Sequence, residues 1–311
     1  MKKDFLLSVI VPVYNEEGNI RALLDRLLPV VEKYSYEILF IDDGSSDGTR
    51  DDIKTFTSEN KHIKLISFVR NFSHQTALTC GYEHVKGDAV ITIDADLQDP
   101  PELIDEMVMK WHEGAKVVYA KRTVRRESFF KIATALAFYK LINILSDTHI
   151  PYNVGDFRLI DREVVTMLNS LPEHSRFLRG LVAWGGFPSS YVTFERNERT
   201  HGETHYPVKK MVGFALSGIV SFSSKPLRFA TYMGFLCAVL GFAGIGYAIT
   251  RRLFLPHEYW VTGWTTIFVA IMFFGGVQLL TIGIIGEYIA RIYTELQNRP
   301  QFLVKEKVNI D

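Results

Sequence analysis

The segment Leu6-Leu7-Ser8-Val9-Ile10-Val11-Pro12-Val13 is an apolar run that stops abruptly at the polar cluster Tyr14-Asn15-Glu16-Glu17. An apolar run without polar alternation is typical of a parallel strand that is covered on both faces. Apolar residues at helical spacing then indicate a helix over residues 17–33. The same succession repeats, with strands over 36–41, 63–68 and 89–93 and helices over 49–59 and 75–85. Strands that alternate with helices predict an α/β fold with a mostly parallel sheet.

Polar clusters follow the predicted strands at the points where the strands end, at residues 14–17, 42–48, 70–75 and 94–99. In parallel sheets, ligands bind beyond the carboxyl ends of the strands. Asp94 and Asp96 stand at alternate positions directly after a strand, and Gln98 follows them. Oxygen ligands of this kind suit Mg²⁺ or Mn²⁺. A solvated turn also fits Asp-x-Asp, but the position at a strand end favours a metal site.

The cluster Asp42-Asp43-Gly44-Ser45-Ser46-Asp47-Gly48-Thr49 allows two interpretations. A turn rich in Asp, Gly and Ser often caps the next helix, and Ser46 or Asp47 fits that role. Two adjacent carboxylates at a strand end are costly unless something uses them, and a nucleoside offers ribose hydroxyls and base N–H groups. We therefore predict that Asp43 contacts a nucleoside.

The composition restricts the class of protein. The chain has 311 residues, is 47% hydrophobic, and carries 35 Lys and Arg against 35 Asp and Glu. The high hydrophobic fraction excludes a disordered chain. The zero net charge argues against a general nucleic-acid binder, because such proteins usually have an excess of basic residues. The cysteines, Cys80 and Cys237, lie far apart and away from any His/Cys cluster, so neither a zinc site nor a disulfide framework is expected.

Apolar residues are concentrated near the C-terminus, where Phe229–Thr250 and Tyr259–Gly286 carry no charge. Each stretch is long enough to cross a hydrocarbon core of about 30 Å. Buried core helices of that length would carry a polar stripe, which both stretches lack. We predict a hairpin of two transmembrane helices within 229–288, over about 229–250 and 263–287. Flanking Lys and Arg place both termini and the catalytic domain in the cytoplasm, with the hairpin in the inner membrane.

The remaining boundaries follow from these spans. Residues 1–205 are predicted to form the catalytic domain, without an export signal, and residues 289–311 a cytoplasmic tail. Residues 127–146 are almost wholly apolar, which fits either a core helix or, next to a membrane anchor, an interfacial helix. Residues 206–228 are interpreted as a juxtamembrane amphipathic helix.

The motifs together resemble those of family 2 glycosyltransferases with a GT-A fold. The resemblance is carried by residues 11–16, 42–49 and 94–102. Residues 70–75 and 155–162 narrow it to the polyprenyl-phosphate branch, which includes dolichyl-phosphate-mannose synthase and the GtrB-type bactoprenol glucosyltransferases. It extends over nearly the whole chain, including the two spans.

The resemblance implies site residues at the matching positions. The donor pocket would comprise Pro12, Tyr14, Glu16, Asp43, Arg70, Gln75 and Ala95, with Asp94, Asp96 and Gln98 at the metal and diphosphate. The acceptor phosphate would be held by Arg122, Arg125, Arg126, Lys131, Arg158, Arg199 and Lys210. The catalytic set would be Asp94, Asp96, Asp156 and Arg122, whereas His74 and His205 are interpreted as non-catalytic. Two positions depart from the family pattern: Ser73 replaces a usual Gly, and Thr204-His205 replaces Ser-Lys.

The implied reaction moves a sugar, expected to be glucose, from a UDP-sugar to undecaprenyl or another polyprenyl phosphate, with Mg²⁺ or Mn²⁺ as cofactor. A phosphate monoester has a second pKa of about 6 and is already anionic at pH 7, so no strong general base is needed. In-line attack would invert the anomeric centre and give a β-linked product. The expected partners are the lipid bilayer and further copies of the chain, as in a homo-oligomer such as a tetramer.

Two rival functions stay open at this point. Processive polysaccharide synthases share the front half but carry Gln-x-x-Arg-Trp, and none of the four tryptophans here follows an arginine in that pattern. A non-catalytic membrane scaffold would not need Asp94, Asp96 and Gln98 together.

Overall fold

The computed structural model describes residues 5–122, 151, 154–174, 176–194, 225–254 and 263–310. Within these residues, eight strands form one sheet in the order β7-β5-β6-β4-β1-β2-β3-β8. The strands are β1 (Leu6–Val13), β2 (Ser35–Asp42), β3 (Ile63–Phe68), β4 (Ala89–Thr92), β5 (Val117–Arg122), β6 (Val154–Asp161), β7 (Ser189–Phe194) and β8 (Val304–Val308).

The centre of the sheet is parallel. β1 pairs in parallel with β2 and β4, and β2 pairs in parallel with β3. Side chains of these strands alternate between two buried apolar clusters: Val9 and Val11 face one cluster, and Ile10 faces the other. Burial on both faces is the reason for the unbroken apolar runs in the sequence. The predicted α/β class is confirmed.

Helices cover both faces of the sheet. The helices of the catalytic domain are α1 (Asn19–Val31), α2 (Thr49–Glu59), α3 (His74–His84), α4 (Ile104–His112), α5 (Arg162–Ser170) and α6 (Leu178–Trp184). Apolar residues of α1, α2 and α4 pack into one cluster, and those of α3, α5 and α6 pack into the other. The domain therefore has three layers with the sheet in the middle.

The outer strands make the sheet mixed. β6 runs antiparallel to both β4 and β5, and it pairs Arg158 with Thr92 of β4. This register brings the neighbouring Asp156 to the end of β4, close to the polar cluster that begins at Asp94. Thr92 donates a hydrogen bond from its Oγ1 to the backbone oxygen of Asp156.

Two long helices, α7 (Lys225–Phe254) and α8 (Trp264–Leu296), follow the sheet domain and pack against each other. Their apolar stretches, Leu227–Tyr247 and Ile267–Leu296, have mean hydropathies of 1.7 and 2.3 and are long enough to cross a membrane. α8 continues nine residues beyond the predicted boundary at 287, and α7 includes the last residues of the segment predicted as juxtamembrane.

The C-terminal tail returns to the sheet. β8 pairs antiparallel with β3 and forms the edge of the sheet, with Leu65 opposite Val308 and Ser67 opposite Glu306. The sequence reasoning assigned this region to a tail and missed the strand. The predicted interfacial helix at 127–146 and residues 206–224 lie outside the described residues.

Candidate active site

A cavity of about 550 Å³ opens where β1, β2 and β4 end. Seven of the predicted site residues line it: Pro12, Tyr14, Glu16, Asp43, Asp94, Ala95 and Asp96. Arg70 and Gln75 were predicted for the donor pocket but are not among its lining residues. The Arg70 guanidinium lies over the Phe72 ring, and Gln75 Oε1 accepts a hydrogen bond from the Leu178 amide. The volume is in the range typical of small-molecule sites.

The loops after β1 and β2 are joined by side-chain hydrogen bonds. Asn15 has a positive φ of 55°. Its backbone amide donates a hydrogen bond to Ser45 Oγ, and its side-chain Oδ1 accepts one from the backbone amide of Ser46. Asp42 is fully buried, where it binds the Arg50 guanidinium at 3.0 Å and accepts from the Ser45 amide. Of the adjacent carboxylates, Asp42 thus fixes the turn, whereas Asp43 lines the cavity.

Asp47 lies one residue before Gly48, the N-cap of α2, and accepts a hydrogen bond from the first residue of that helix. Its Oδ1 accepts from the Thr49 amide at 3.1 Å, and its Oδ2 accepts from the Glu17 amide at 3.2 Å.

Asp43 is held by the loop that follows β3. Its Oδ1 accepts from the Phe72 amide at 2.6 Å, and its Oδ2 accepts from the Ser73 amide at 3.0 Å. Burial raises the pKa of Asp43, although the two amide hydrogen bonds oppose this shift. Ser73 has a φ of 103°, a region that favours glycine, which gives a physical reason for the Gly usual at this position in the resembling family.

The cavity is strongly acidic. Five carboxylates line it (Glu16, Glu17, Asp43, Asp94 and Asp96), and no Lys or Arg is found among its described lining residues. Burial raises the pKa of Asp94, and the neighbouring Asp156 and Asp96 add to the shift, while His74 opposes it. Carboxylates that share one cavity repel one another, so the site fits a bound cation.

The donor set suits a hard divalent cation. Asp94 and Asp96 face the same cavity, whereas Gln98 is 6% exposed and is not a lining residue. Gln98 donates its backbone amide to Asp96 Oδ1 at 3.2 Å, which orients that carboxylate. Within the described residues, no three His, Cys, Asp or Glu side chains form a complete metal cage. Two carboxylates are nevertheless enough for Mg²⁺, which commonly takes its other ligands from water and substrate phosphates.

Asp156 lies beside this cavity in a different charge environment. Arg179 of α6 binds its carboxylate through two hydrogen bonds, of 3.0 and 2.7 Å. His74 Nε2 lies 3.5 Å from Asp156 and 3.8 Å from Asp94, and the Arg158 guanidinium lies 3.6 Å from Asp156. Burial would raise the pKa of Asp156, but Arg179, followed by His74 and Arg158, holds it well below the usual value.

Arg158 and Arg179 change the predicted acceptor site. Arg158 has no exposed surface, so the structure does not support the direct phosphate contact predicted for it. Instead, among the described residues, Arg179 is the cation closest to Asp156, and its side chain is 29% exposed. No motif in the sequence marks Arg179, which is a single arginine within the apolar stretch of α6. His74, interpreted as non-catalytic, lies between the two aspartates.

Arg122 ends β5 and points toward the same region. Its guanidinium lies 3.7 Å from the buried Asp99. A Cβ at Gly155 would approach the guanidinium to 3.3 Å, so glycine allows this arginine to lie close to β6. The other predicted acceptor residues, Arg125, Arg126, Lys131, Arg199 and Lys210, lie outside the described residues.

Both the sheet domain and the two long helices match known protein families. The family profile "Glycosyl transferase family 2" matches residues 8–167, and "GtrB C-terminal hairpin" matches residues 225–292. The uncharacterized glycosyltransferase YkcC of Bacillus subtilis is 44% identical over 100% of this chain and 97% of its own length. The SfII prophage-derived bactoprenol glucosyl transferase of Shigella flexneri is 42% identical over 96% of this chain and 97% of its own length. A prophage bactoprenol glucosyl transferase homolog of Escherichia coli K12 is 40% identical over 96% and 98%, respectively.

Proposed function

Because the chain belongs to glycosyl transferase family 2 and is a GT-A-like, membrane-associated glycosyltransferase, we propose that it moves glucose from UDP-glucose to undecaprenyl phosphate. The acceptor and the sugar follow the names of the Shigella and Escherichia relatives. The reaction inverts the anomeric carbon, because the acceptor oxygen attacks on the face opposite the departing diphosphate.

The acidic cavity carries this proposal. A diphosphate is an anion, and five carboxylates would repel it unless a cation separates the charges. Asp94 and Asp96 would hold Mg²⁺ or Mn²⁺ at the end of β4. When bound, this ion stabilises the negative charge that develops on the departing diphosphate.

The residues around Asp156 support a phosphate acceptor. A sugar hydroxyl would need a general base with a pKa near neutrality. Asp156 is unsuited to that role, because Arg179 and its other cationic neighbours keep the pKa far below neutrality. A phosphate acceptor needs only positioning and charge stabilisation, and Arg122 and Arg179 are partly exposed guanidinium groups on that side of the site. We assign Asp156 the role of holding Arg179 and Arg158 in orientation.

A transfer assay tests this function. Full-length protein in lipid nanodiscs is incubated with undecaprenyl phosphate, Mg²⁺ and one radiolabelled nucleotide sugar at a time, and the lipid phase is analysed. We expect a lipid-linked monosaccharide from UDP-glucose. A polymer would indicate a processive synthase, and no product from any donor would indicate a scaffold. The inner-membrane location, cytoplasmic orientation and oligomeric state remain predictions.

A further inference from the structure

The segment after α8 is attached to the catalytic domain along the whole of β3. β8 pairs with β3, and just before β8 the Leu303 oxygen accepts a hydrogen bond from the Val69 amide at 3.0 Å. At the other end, Asn309 donates from its side-chain amide to the backbone oxygens of Thr57 and Ile63, both at 2.8 Å. The tail is therefore a fixed part of the domain.

Aromatic contacts extend from this tail toward the cavity. The ring of Phe302 stacks on the fully buried Phe68, with centroids 5.0 Å apart and an interplanar angle of 15°. Phe68 in turn contacts Phe72 edge to face, with centroids 5.8 Å apart. The Arg70 guanidinium lies over the Phe72 ring at 4.0 Å. Three aromatic rings thus connect the tail with the loop after β3.

That loop binds Asp43, a cavity residue. The Phe72 and Ser73 amides donate to the two oxygens of Asp43. Ser73 holds its amide in place with a φ of 103°, a conformation that costs free energy and persists only where the surroundings enforce it. The contacts of Phe72 supply such enforcement.

We propose that Phe302 is a positioning residue for the nucleotide site, which it supports through Phe68, Phe72 and Asp43. The inference rests on the proposed function, because it assumes that Asp43 contacts the nucleoside of the donor. The tail that leaves the second long helix thereby supports the donor site without lining it, and the hairpin and nucleotide binding are linked within one chain.

The test compares three variants of the full-length protein in nanodiscs with wild type. Phe302→Leu keeps an apolar side chain but removes the stacked ring, and Phe302→Tyr keeps the ring. Asn309→Gly is the matched control, since it loosens the tail at the end remote from the cavity and accommodates the positive φ of Asn309. The measurements are the thermal midpoint, the Kd of UDP by calorimetry with Mg²⁺, and KM and kcat for donor and acceptor.

We expect Phe302→Leu to raise the Kd of UDP and the donor KM about two- to tenfold, with the acceptor KM unchanged. Phe302→Tyr should keep the Kd of UDP and the donor KM at their wild-type values. Asn309→Gly should lower the thermal midpoint and leave the Kd of UDP unchanged. A Phe302→Leu protein that melts earlier but binds UDP like wild type would overturn the inference and leave the proposed function intact. If wild type itself binds no UDP, the proposed donor is wrong and the inference falls with it.

Discussion

Replacement of Asp156 by Asn removes one charge from a buried cluster. The Asp156 side chain is 5% exposed and is bound by Arg179 through two hydrogen bonds, while Arg158, which is completely buried, lies 3.6 Å away. Without the carboxylate, both guanidinium groups lose the negative partner that Asp156 provides. Loss of one member of a buried ion pair typically costs about 3–5 kcal/mol. For a domain of this size that corresponds to a fall in Tm of roughly 6–20 °C.

Glu102→Gln provides the matched control. The Arg26 guanidinium also binds Glu102 through two hydrogen bonds, of 3.0 and 2.9 Å, but the two side chains are 34% and 55% exposed. An exposed pair contributes about 0–1 kcal/mol, so this variant should melt within about 4 °C of wild type. Differential scanning fluorimetry of the nanodisc preparations measures both variants.

The pH dependence separates an orienting role from a general base. The folded-state pKa of Asp156 is lowered, so its contribution to stability is present above the unfolded value of about 3.9 and is lost as the pH falls through the folded value. Burial opposes a charged His74, but the contact with Asp156 raises the pKa of this imidazole. The Tm difference between wild type and Asp156→Asn should therefore be largest between about pH 5 and 6 and narrow as the pH rises through the raised pKa of His74. The kcat profiles of both proteins should follow the ionisation of the acceptor near pH 6, with a raised acceptor KM in the variant. An acidic limb that only wild type shows, at an unchanged acceptor KM, would refute the reasoning.

Two further changes test the donor side. Asp96→Asn should keep the Tm within a few degrees but abolish transfer. EDTA should abolish transfer by the wild type until Mg²⁺ or Mn²⁺ is restored. Full turnover in the presence of the chelator would contradict the metal assignment. Ser73→Gly should raise the free energy of unfolding by up to about 2 kcal/mol, because glycine relieves the strain of the positive φ, and transfer should be retained. Ser73→Ala keeps the strain and should not raise the free energy of unfolding. A lower Tm for the glycine variant would argue against strain at this position.

The centre of the sheet could be predicted because its strands are buried on both faces. The predicted strand at residues 6–13 and helix at residues 49–59 coincide with β1 and α2. β8 was missed because Val304-Lys305-Glu306-Lys307-Val308 is short and charged, as edge strands often are, and such a sequence also suits a solvated tail. The predicted span ends at about residue 287 with the apolar stretch, whereas the helix α8 continues to Leu296 through polar residues such as Arg291 and Glu295.

The site residues could be predicted where their polar side chains directly follow a strand. Asp43, Asp94 and Asp96 were recognised because their carboxylates stand at strand ends, and they line one cavity. Arg179 was not predicted because its contact with Asp156 depends on the packing of α6 against the sheet, and the local sequence carries no pattern that indicates this packing. Arg158 was assigned to the acceptor site by resemblance alone. Its complete burial in β6, between β4 and β5, could not be inferred from that match.

The carboxylates of the site differ in environment and therefore in the role that each can take. Asp94 faces an acidic cavity where burial and like charges raise its pKa, so a divalent cation would be the natural partner for its charge. Asp156, on the neighbouring strand, is already neutralised by arginines and stays ionised. Among the residues that the structure describes, no Lys or Arg lines the cavity, whereas Arg179 and Arg158 lie against Asp156. This asymmetry suits the proposed transfer from a metal-bound diphosphate to an anionic phosphate, because each of the two anions would then meet positive charge from its own side.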